Sequence, residues 1–276
     1  MDLLSSVFRH FSLNANVYFG GNLCGSSSLN EETQNHGHLH LLRSGNIVIR
    51  CSNGFETTLS EPSVLYFPQP TPHSLVADKT TGADLVCARI HYQDGKRSPL
   101  LRALPPCLRY ELKGSGLLGQ SANWIFDEAF QEKSGQRIVL NRLCDIFIIN
   151  VLRKVLDDGL LNEGMMAGLA HPQLSKMLVE LHNTPEKNWS LHTMADMCAM
   201  SRSKFTEVFK QVVGQTPADY LTDWRISVAQ NLIARHQNMD LVANQVGYEN
   251  GSALARVFRK KTGQSPKAWL ASQHTE

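Results

Sequence analysis

Glu207–Leu221 reads EVFKQVVGQTPADYL, and Arg256–Leu270 reads RVFRKKTGQSPKAWL. At a constant offset of 49 positions the Val, Phe, Gly, Gln, Pro and Leu coincide. Lys210/Arg259, Thr216/Ser265 and Tyr220/Trp269 are chemically alike. Agreement that reaches the register of Gly and Pro marks a duplication of one supersecondary unit.

The flanking residues say what that unit is. In the first copy Ser190 caps a short helix over Leu191–Cys198, with Leu191, Met194, Ala195 and Cys198 on its inner face. Ser201 caps a second helix starting at Arg202, with Phe205, Val208 and Phe209 inward. Gly214 ends that helix and Pro217 opens the next. Two short helices across a tight turn make a helix-turn-helix. The second copy repeats the plan with Leu241–Val246, a turn at Gly247–Asn250, and a helix over Gly251–Lys261 with Leu254, Val257 and Phe258 inward. Between the copies Pro217–Arg235 is predicted as one long helix, with Leu221, Trp224, Val228 and Leu232 on a common face.

The outward residues of the two second helices carry the chemistry. They are Arg202, Ser203, Thr206, Glu207 and Lys210 in the first copy, and Asn250, Ser252, Ala255, Arg256, Arg259 and Lys260 in the second. Short polar side chains and Arg near a helix N-terminus reach base edges, and flanking cations hold phosphates. Arg256 can give two hydrogen bonds to a guanine. Two such helices on one rigid linker suit successive major grooves about 34 Å apart.

This part of the chain, about residues 175–272, resembles the AraC/XylS family of bacterial transcription regulators. The resemblance rests on A-x-x-V-G-Y at Ala243–Tyr248, R-V-F-R at Arg256–Arg259 and G-Q-S-P at Gly263–Pro266. It implies a sequence-specific regulator with two helix-turn-helix motifs on asymmetric promoter sites in double-stranded DNA. It also implies base-reading positions at Ser203, Thr206, Glu207, Gly251, Ser252 and Arg256.

Upstream the pattern changes. Short apolar runs at Asn16–Phe19, His38–Leu42, Ile47–Ile49, Val64–Phe67, Leu85–Ile90 and Leu108–Tyr110 are separated by turn signals such as Ser52-Asn53-Gly54. Such spacing predicts an antiparallel sandwich or barrel. Helical periodicity follows, with Leu140, Leu143, Phe147, Val151 and Val155 on one stripe that packs on the barrel, on a second copy of the chain, or on both. The fold expected is α+β in two domains: a barrel over 1–115, connecting and dimerising helices over 116–160, a Gly/Met-rich linker over 161–172, and the duplicated unit over 173–272.

Composition agrees with two packed domains. Hydrophobic residues are 42% and charged residues 19% of the 276-residue chain, which excludes wholesale disorder. The net charge of +2 excludes a polycation that binds by bulk charge. Residues 1–170 carry 15 basic and 16 acidic groups, and residues 171–276 carry 12 and 9, so the positive excess lies on the duplicated part. No charged-then-apolar leader opens the chain, and the apolar run Ile146–Ile149 is too short to span a bilayer. A cytoplasmic protein with no membrane contact is expected, with its six cysteines reduced.

His40–Gly45 (HLLRSG) and Leu65–His73 (LYFPQPTPH) make the strand-rich half similar to the cupin-type sensor domains of such regulators. That similarity implies a small barrel followed by helices that form a homodimer. His36, His38 and His40 alternate along one strand and so share a face. With His73 arriving from a neighbouring strand, His38, His40 and His73 are candidate ligands for zinc or another divalent metal. Cupin enzymes carry a carboxylate just after the H-x-H, and Leu41–Asn46 contains none. A non-enzymatic regulator is therefore expected, the alternative being a cupin-type metal-binding enzyme or metal sensor with an accessory DNA-binding domain. Cys24 and Cys87 are similar in placement to the paired cysteines of regulators that respond to reactive chlorine, a group sharing the Pro68-Gln69…His73 segment. The signal is left open between an oxidant acting on Cys24 and Cys87 and a small-molecule effector in the barrel.

Overall fold

The computed structural model describes residues 3–8, 12–29, 36–92, 104–159 and 164–273. These residues fall into two compact units. One contains nine strands and two helices; the other is helical.

The first unit holds two antiparallel sheets. The five-stranded sheet has the order β1-β8-β3-β6-β9, from Leu13–Leu23, Ala83–Tyr92, His36–Gly45, Ser63–Phe67 and Leu108–Glu111. The four-stranded sheet has the order β2-β7-β4-β5, from Ser26–Leu29, His73–Ala77, Ile47–Cys51 and Glu56–Leu59. Ile47, Ile49, Leu75 and Leu59 from the smaller sheet meet Leu42, Leu65, Phe67 and Leu85 from the larger one in a single core. The Ser52-Asn53-Gly54 turn joins β4 to β5 as expected. Gly54 takes a φ of +88°, and the Asn53 carboxamide accepts from the Phe55 amide at 3.0 Å. β2, β5 and β7 escaped sequence reading because they are short and partly polar.

Two helices follow, α2 (Gly116–Ala129) and α3 (Gln136–Asp157). Leu140, Phe147, Val151 and Val155 of the predicted stripe are buried, and α3 packs on α2 and β1. That stripe is therefore an intramolecular seam, not a face for a second copy. α3 also closes the open edge of the larger sheet: the Ala15 and Val17 amides of β1 donate to the Asp145 and Asn141 side chains at 2.7 and 2.8 Å. Edge amides left free would invite pairing with another strand.

The second unit contains α1 (Leu3–Phe8), α4 (Met165–Ala170), α5 (Ser175–Asn183), α6 (Leu191–Met197), α7 (Arg202–Val213), α8 (Pro217–Ala234), α9 (Met239–Gln245), α10 (Gly251–Thr262) and α11 (Pro266–Gln273). α1, counted with the barrel on sequence, packs on α5. The Gly164–Gly168 stretch expected as linker is largely α4, with Met165, Met166 and Leu169 buried. Small and flexible residues suggested a tether, but their apolar character fills a gap against α5 and α7. Residues 161–163 of that expected linker lie outside the described residues. α8 is the spine of the unit. His182 of α5 stacks on Trp224 with ring centres 3.7 Å apart and shares a 2.6 Å hydrogen bond with the Tyr220 hydroxyl. Lys261 at the end of α10 pairs with Asp223 of α8 at 2.7 Å.

Candidate nucleic-acid interface and barrel histidine cluster

Each helix-turn-helix is set by its caps. Ser190 accepts from the Thr193 amide and Ser201 from the Lys204 amide, fixing the starts of α6 and α7. In the second copy Asn238 and Asn250 do the same for α9 and α10. Gly214 and Gly263 end α7 and α10 in the left-handed conformation. Inward, Phe205 and Phe209 in the first copy match Leu254 and Phe258 in the second, and all four are buried.

The outer faces differ between the copies. Arg202, Ser203, Glu207 and Lys210 are exposed on α7, and Thr206 is half-buried, its hydroxyl donating to the Arg202 carbonyl at 2.9 Å. Glu207 pairs with Lys204 at 3.2 Å. On α10, Ser252, Arg256, Arg259 and Lys260 are exposed, and Ala255 is half-buried. Asn250 is exposed, but its carboxamide oxygen is engaged by the Ala253 amide.

Two assignments made on sequence need correction. Gly251 is buried, and its amide donates to Asp240 at 2.7 Å. A Cβ there would stand 3.0 Å from the Asp240 carboxylate and 3.2 Å from the Met239 Cβ. Gly251 thus permits close crossing of α9 and α10 and presents nothing to a base. Leu191, assigned to the inner face of α6, is 41% exposed. It is the first helical residue, where the chain has not yet turned its side chain under α7. Asp240 and Leu191 were missed because tertiary contact, not periodicity, decides both.

In the barrel, His38, His40 and His73 come together, with one ligand atom from each lying within 4.8 Å of the others. His73 reaches the cluster from the opposite sheet. All three are buried. The hydrogen bonds set the tautomers of His73 and His40. His73 Nδ1 lies 2.6 Å from the Thr71 carbonyl, so it carries the proton and donates. The His73 Nε2 lone pair then accepts from His40 Nε2–H at 2.7 Å. His40 Nδ1 is left to accept from the Cys87 thiol at 3.1 Å. Burial, with neighbouring His73, His36 and Arg89, holds the His38 pKa down to about 3. Burial, followed by His73 and His38, holds His40 well below its usual value. Burial also lowers His73 against an opposing bond to Thr71. All three imidazoles are therefore neutral, and His40 would offer a metal its Nε2 lone pair once its proton moves to Nδ1, where the Cys87 sulfur can accept it.

The cysteines do not form a pair. Cys24 is exposed and donates to the Asn22 carboxamide at 3.1 Å, whereas Cys87 is buried and desolvation pushes its pKa up to about 12. Leu23 lies opposite Ala83 and Phe19 opposite Cys87, so four residues of β8 separate their levels. At about 3.3 Å per residue that is roughly 13 Å, beyond the roughly 4–7 Å a disulfide spans between Cα atoms. The direct Cys24–Cys87 link envisaged on sequence does not fit this fold.

Residues 2–157 match a family described as Cupin, and residues 194–272 match a helix-turn-helix domain family. The chain belongs to the cupin family, as a transcription regulator with an AraC-type helix-turn-helix domain that binds double-stranded DNA. It is 27% identical to the HTH-type transcriptional regulator AlkR of Acinetobacter baylyi, over 97% of this chain and 98% of that protein. It is 23% identical to the RCS-specific HTH-type transcriptional activator RclR of Escherichia coli, over 82% of this chain and 81% of that one. Among solved structures, ToxT of Vibrio cholerae covers 95% of this chain and 97% of its own at 14% identity and a TM-score of 0.40. The relatives are regulators, and the enzyme alternative has no support among them. Among the described residues no helix is long and apolar enough to cross a membrane.

Proposed function

We propose that the protein reads promoter DNA in the cytoplasm through the outer faces of α7 and α10. Arg202, Ser203, Thr206, Glu207 and Lys210 would serve one groove, and Ser252, Arg256, Arg259 and Lys260 the next. Asn250 would set the start of α10. The observation that carries this reading is the exposed row Ser252, Arg256, Arg259 and Lys260 on a helix whose opposite face, Leu254 and Phe258, is buried. Selection of bound duplexes from random sequence, followed by footprinting, tests it. Two protected patches one helical turn apart are expected, and a single patch would reject the two-groove reading.

The regulatory unit is a homodimer joined through α2 and α3. Leu117, Trp124, Ile138, Val139 and Ile146 are exposed there, Trp124 by 56% and Ile138 by 70%. Large apolar side chains of this kind mark association surfaces. With the edge of β1 closed by α3, the helix face is the better candidate for contact with a second copy. Ile138→Glu should yield monomers in sedimentation, and an unchanged mass would reject this face.

The signal acts at the histidine cluster in the barrel. The three neutral imidazoles fit zinc or a similar divalent ion, which would be held by His38, His40 and His73. His38 Nδ1 has no hydrogen-bond partner among the described residues. For both facing nitrogens, now 2.7 Å apart, to hold a metal, the His40 Nε2 proton would have to move to Nδ1. Bound metal would supply a fixed charge that crosslinks the two sheets. Zinc uptake by the purified chain should vanish in His40→Ala and His73→Ala; unchanged retention would reject the site. The exposed Cys24 thiol favours a second reading, in which an oxidant modifies Cys24 singly. Loss of an oxidant's effect on DNA binding in Cys24→Ser, but not in Cys87→Ser, is its expected signature.

A further inference from the structure

The duplication extends beyond the recognition helices to a pair of clefts beside them. One cleft, about 340 Å³, lies where the start of α6, the flank of α7 and the start of α8 meet. The other, about 600 Å³, lies where the start of α9, the flank of α10 and the start of α11 meet. Their walls correspond: Leu191 and Met239 are the first residues of α6 and α9, and through the internal repeat Thr216 matches Ser265 and Ala218 matches Lys267. Leu221 and Leu270 add apolar floor at equivalent places. Each cleft opens next to the outer face of its recognition helix. Thr206 and Leu191 line the first cleft as well as the concave surface along α7 that Arg202, Ser203 and Lys210 share. Ser252 lines the second.

We propose that these twin clefts each seat the sugar–phosphate strand that borders the groove read by the neighbouring helix. This rests on the reading of α7 and α10 as the groove-facing elements. An apolar floor suits deoxyribose. In the second cleft the Ser252 and Ser265 hydroxyls and Lys267 suit phosphate oxygens. The carboxylate lining the second cleft, Asp240, is engaged by the Gly251 amide, and Asp219, beside the first, accepts from the Thr216 hydroxyl at 2.7 Å. The two clefts differ in charge. Lys267 is exposed at the second position of α11, whereas Ala218 is exposed at the second position of α8. The second cleft therefore grips its phosphate electrostatically, whereas in the first the Thr206, Thr216 and Thr222 hydroxyls already donate to the Arg202 carbonyl, the Asp219 carboxylate and the Ala218 carbonyl, so it seats the strand by shape.

The asymmetry supplies the test. The full-length protein is titrated across a salt series with two probes: a duplex of mixed sequence spanning several turns, and a duplex the protein has selected from random sequence. Lys267→Ala is expected to make the log affinity–log salt slope shallower by about 0.9, the value of one phosphate contact. Its affinity should fall by the same factor on both duplexes. Ala218→Lys, which copies the second cleft into the first, is expected to steepen the slope by a similar amount and tighten both complexes. Wild-type slope and affinity in either folded variant would overturn the proposal. So would a loss confined to the selected duplex, which would make Lys267 a base reader. Should Ala218→Lys fail to fold by circular dichroism, Lys267→Ala and Lys267→Gln decide alone. Arg256→Ala, measured alongside, separates the two readings. A silent Arg256→Ala with responsive cleft variants would reject the helix-face reading and leave the clefts standing; the reverse result would reject the clefts alone.

Discussion

The barrel and the helical unit put their polar chemistry in opposite places. In the barrel His38, His40 and His73 are 1–3% exposed, and their hydrogen bonds run inward to Thr71 and Cys87. In the helical unit Arg256, Arg259 and Lys260 stand in solvent while Leu254 and Phe258 fill the core beneath them. A buried polar group must be satisfied from within and costs stability when its state changes. An exposed one can be altered with little effect on the fold. The difference predicts that the barrel couples its signal to its own stability, whereas the duplicated unit can change its binding while staying folded.

Acid offers the strongest way to break this contrast. The folded-state pKa values of His38, His40 and His73 lie below the usual 6.5. Their contribution to stability is complete above that value and is lost as pH falls below it, down to about 3 for His38. Each imidazole kept neutral adds up to about 1.4 kcal/mol per pH unit, so the three set a ceiling of about 4 kcal/mol per unit. The helical unit buries a single histidine among its described residues, His182, and should respond less steeply. Segment-resolved hydrogen exchange in chelator, taken from neutral to mildly acid pH, should show β3, β7 and β8 losing protection before α7 and α10. Simultaneous loss, or a helical unit that opens first, would erase the contrast.

The same contrast explains what was legible in the sequence. The helix-turn-helix pair could be read because its signals are local: Ser190, Ser201 and Thr216 cap, Gly214 and Gly263 stop, and apolar residues recur at helical spacing. Where tertiary contact decides, the reading failed. Nothing local tells that Gly251 is pressed against α9 or that Leu191 lies outside. In the barrel the alternation of His36, His38 and His40 gave the shared face. Which sheet His73 comes from was not legible, because sheet membership depends on a fold-back that periodicity does not encode. The Leu140–Val155 stripe was read correctly as apolar, but its partner, β1 and α2 of the same chain, was one of two open choices. The faces that do stay exposed on α2 and α3 contain Trp124 and Ile138, which lie off that stripe.

Within the helical unit the contrast can be sharpened by substitution. Arg256→Ala should weaken binding to a selected duplex by about 1–3 kcal/mol and relax preference at one base pair. The melting temperature should hold, because the side chain is exposed and no ion pair of it is seen among the described residues. A stability loss comparable with the binding loss would mean that Arg256 is structural, and the exposed face would lose its meaning as a readout.

The two turns give a smaller effect of the opposite kind, on folding without binding. Ala199 in the first turn sits at φ +52°, and its counterpart Gly247 in the second sits at +80°. A Cβ costs about 1 kcal/mol or more in this region, and glycine avoids it. Ala199→Gly should therefore stabilise the unit, by no more than about 1 kcal/mol once the extra freedom of the unfolded chain is counted. Gly247→Ala should do worse than the bare backbone cost, since its Cβ would stand 2.5 Å from the Arg225 guanidinium, which braces the Pro185 and Lys187 carbonyls. Urea melts of the two variants should move in opposite directions, with DNA affinity preserved in Ala199→Gly.

The smallest expected effect comes from Glu207, which occupies in α7 the place that Arg256 occupies in α10. A carboxylate there can accept from a cytosine amino group, but it faces the phosphate field that Arg256 exploits. Its bond to Lys204 joins side chains 60% and 68% exposed, a pairing worth at most about 1 kcal/mol. Glu207→Gln keeps the shape and an acceptor while removing the charge. Total affinity should then change by less than about 1 kcal/mol, with repulsion relieved and cytosine preference weakened, as a neutral acceptor replaces a charged one, at one position. If Glu207→Gln instead costs as much as Arg256→Ala, the copies read with equal force. The duplication would then have preserved function as well as skeleton.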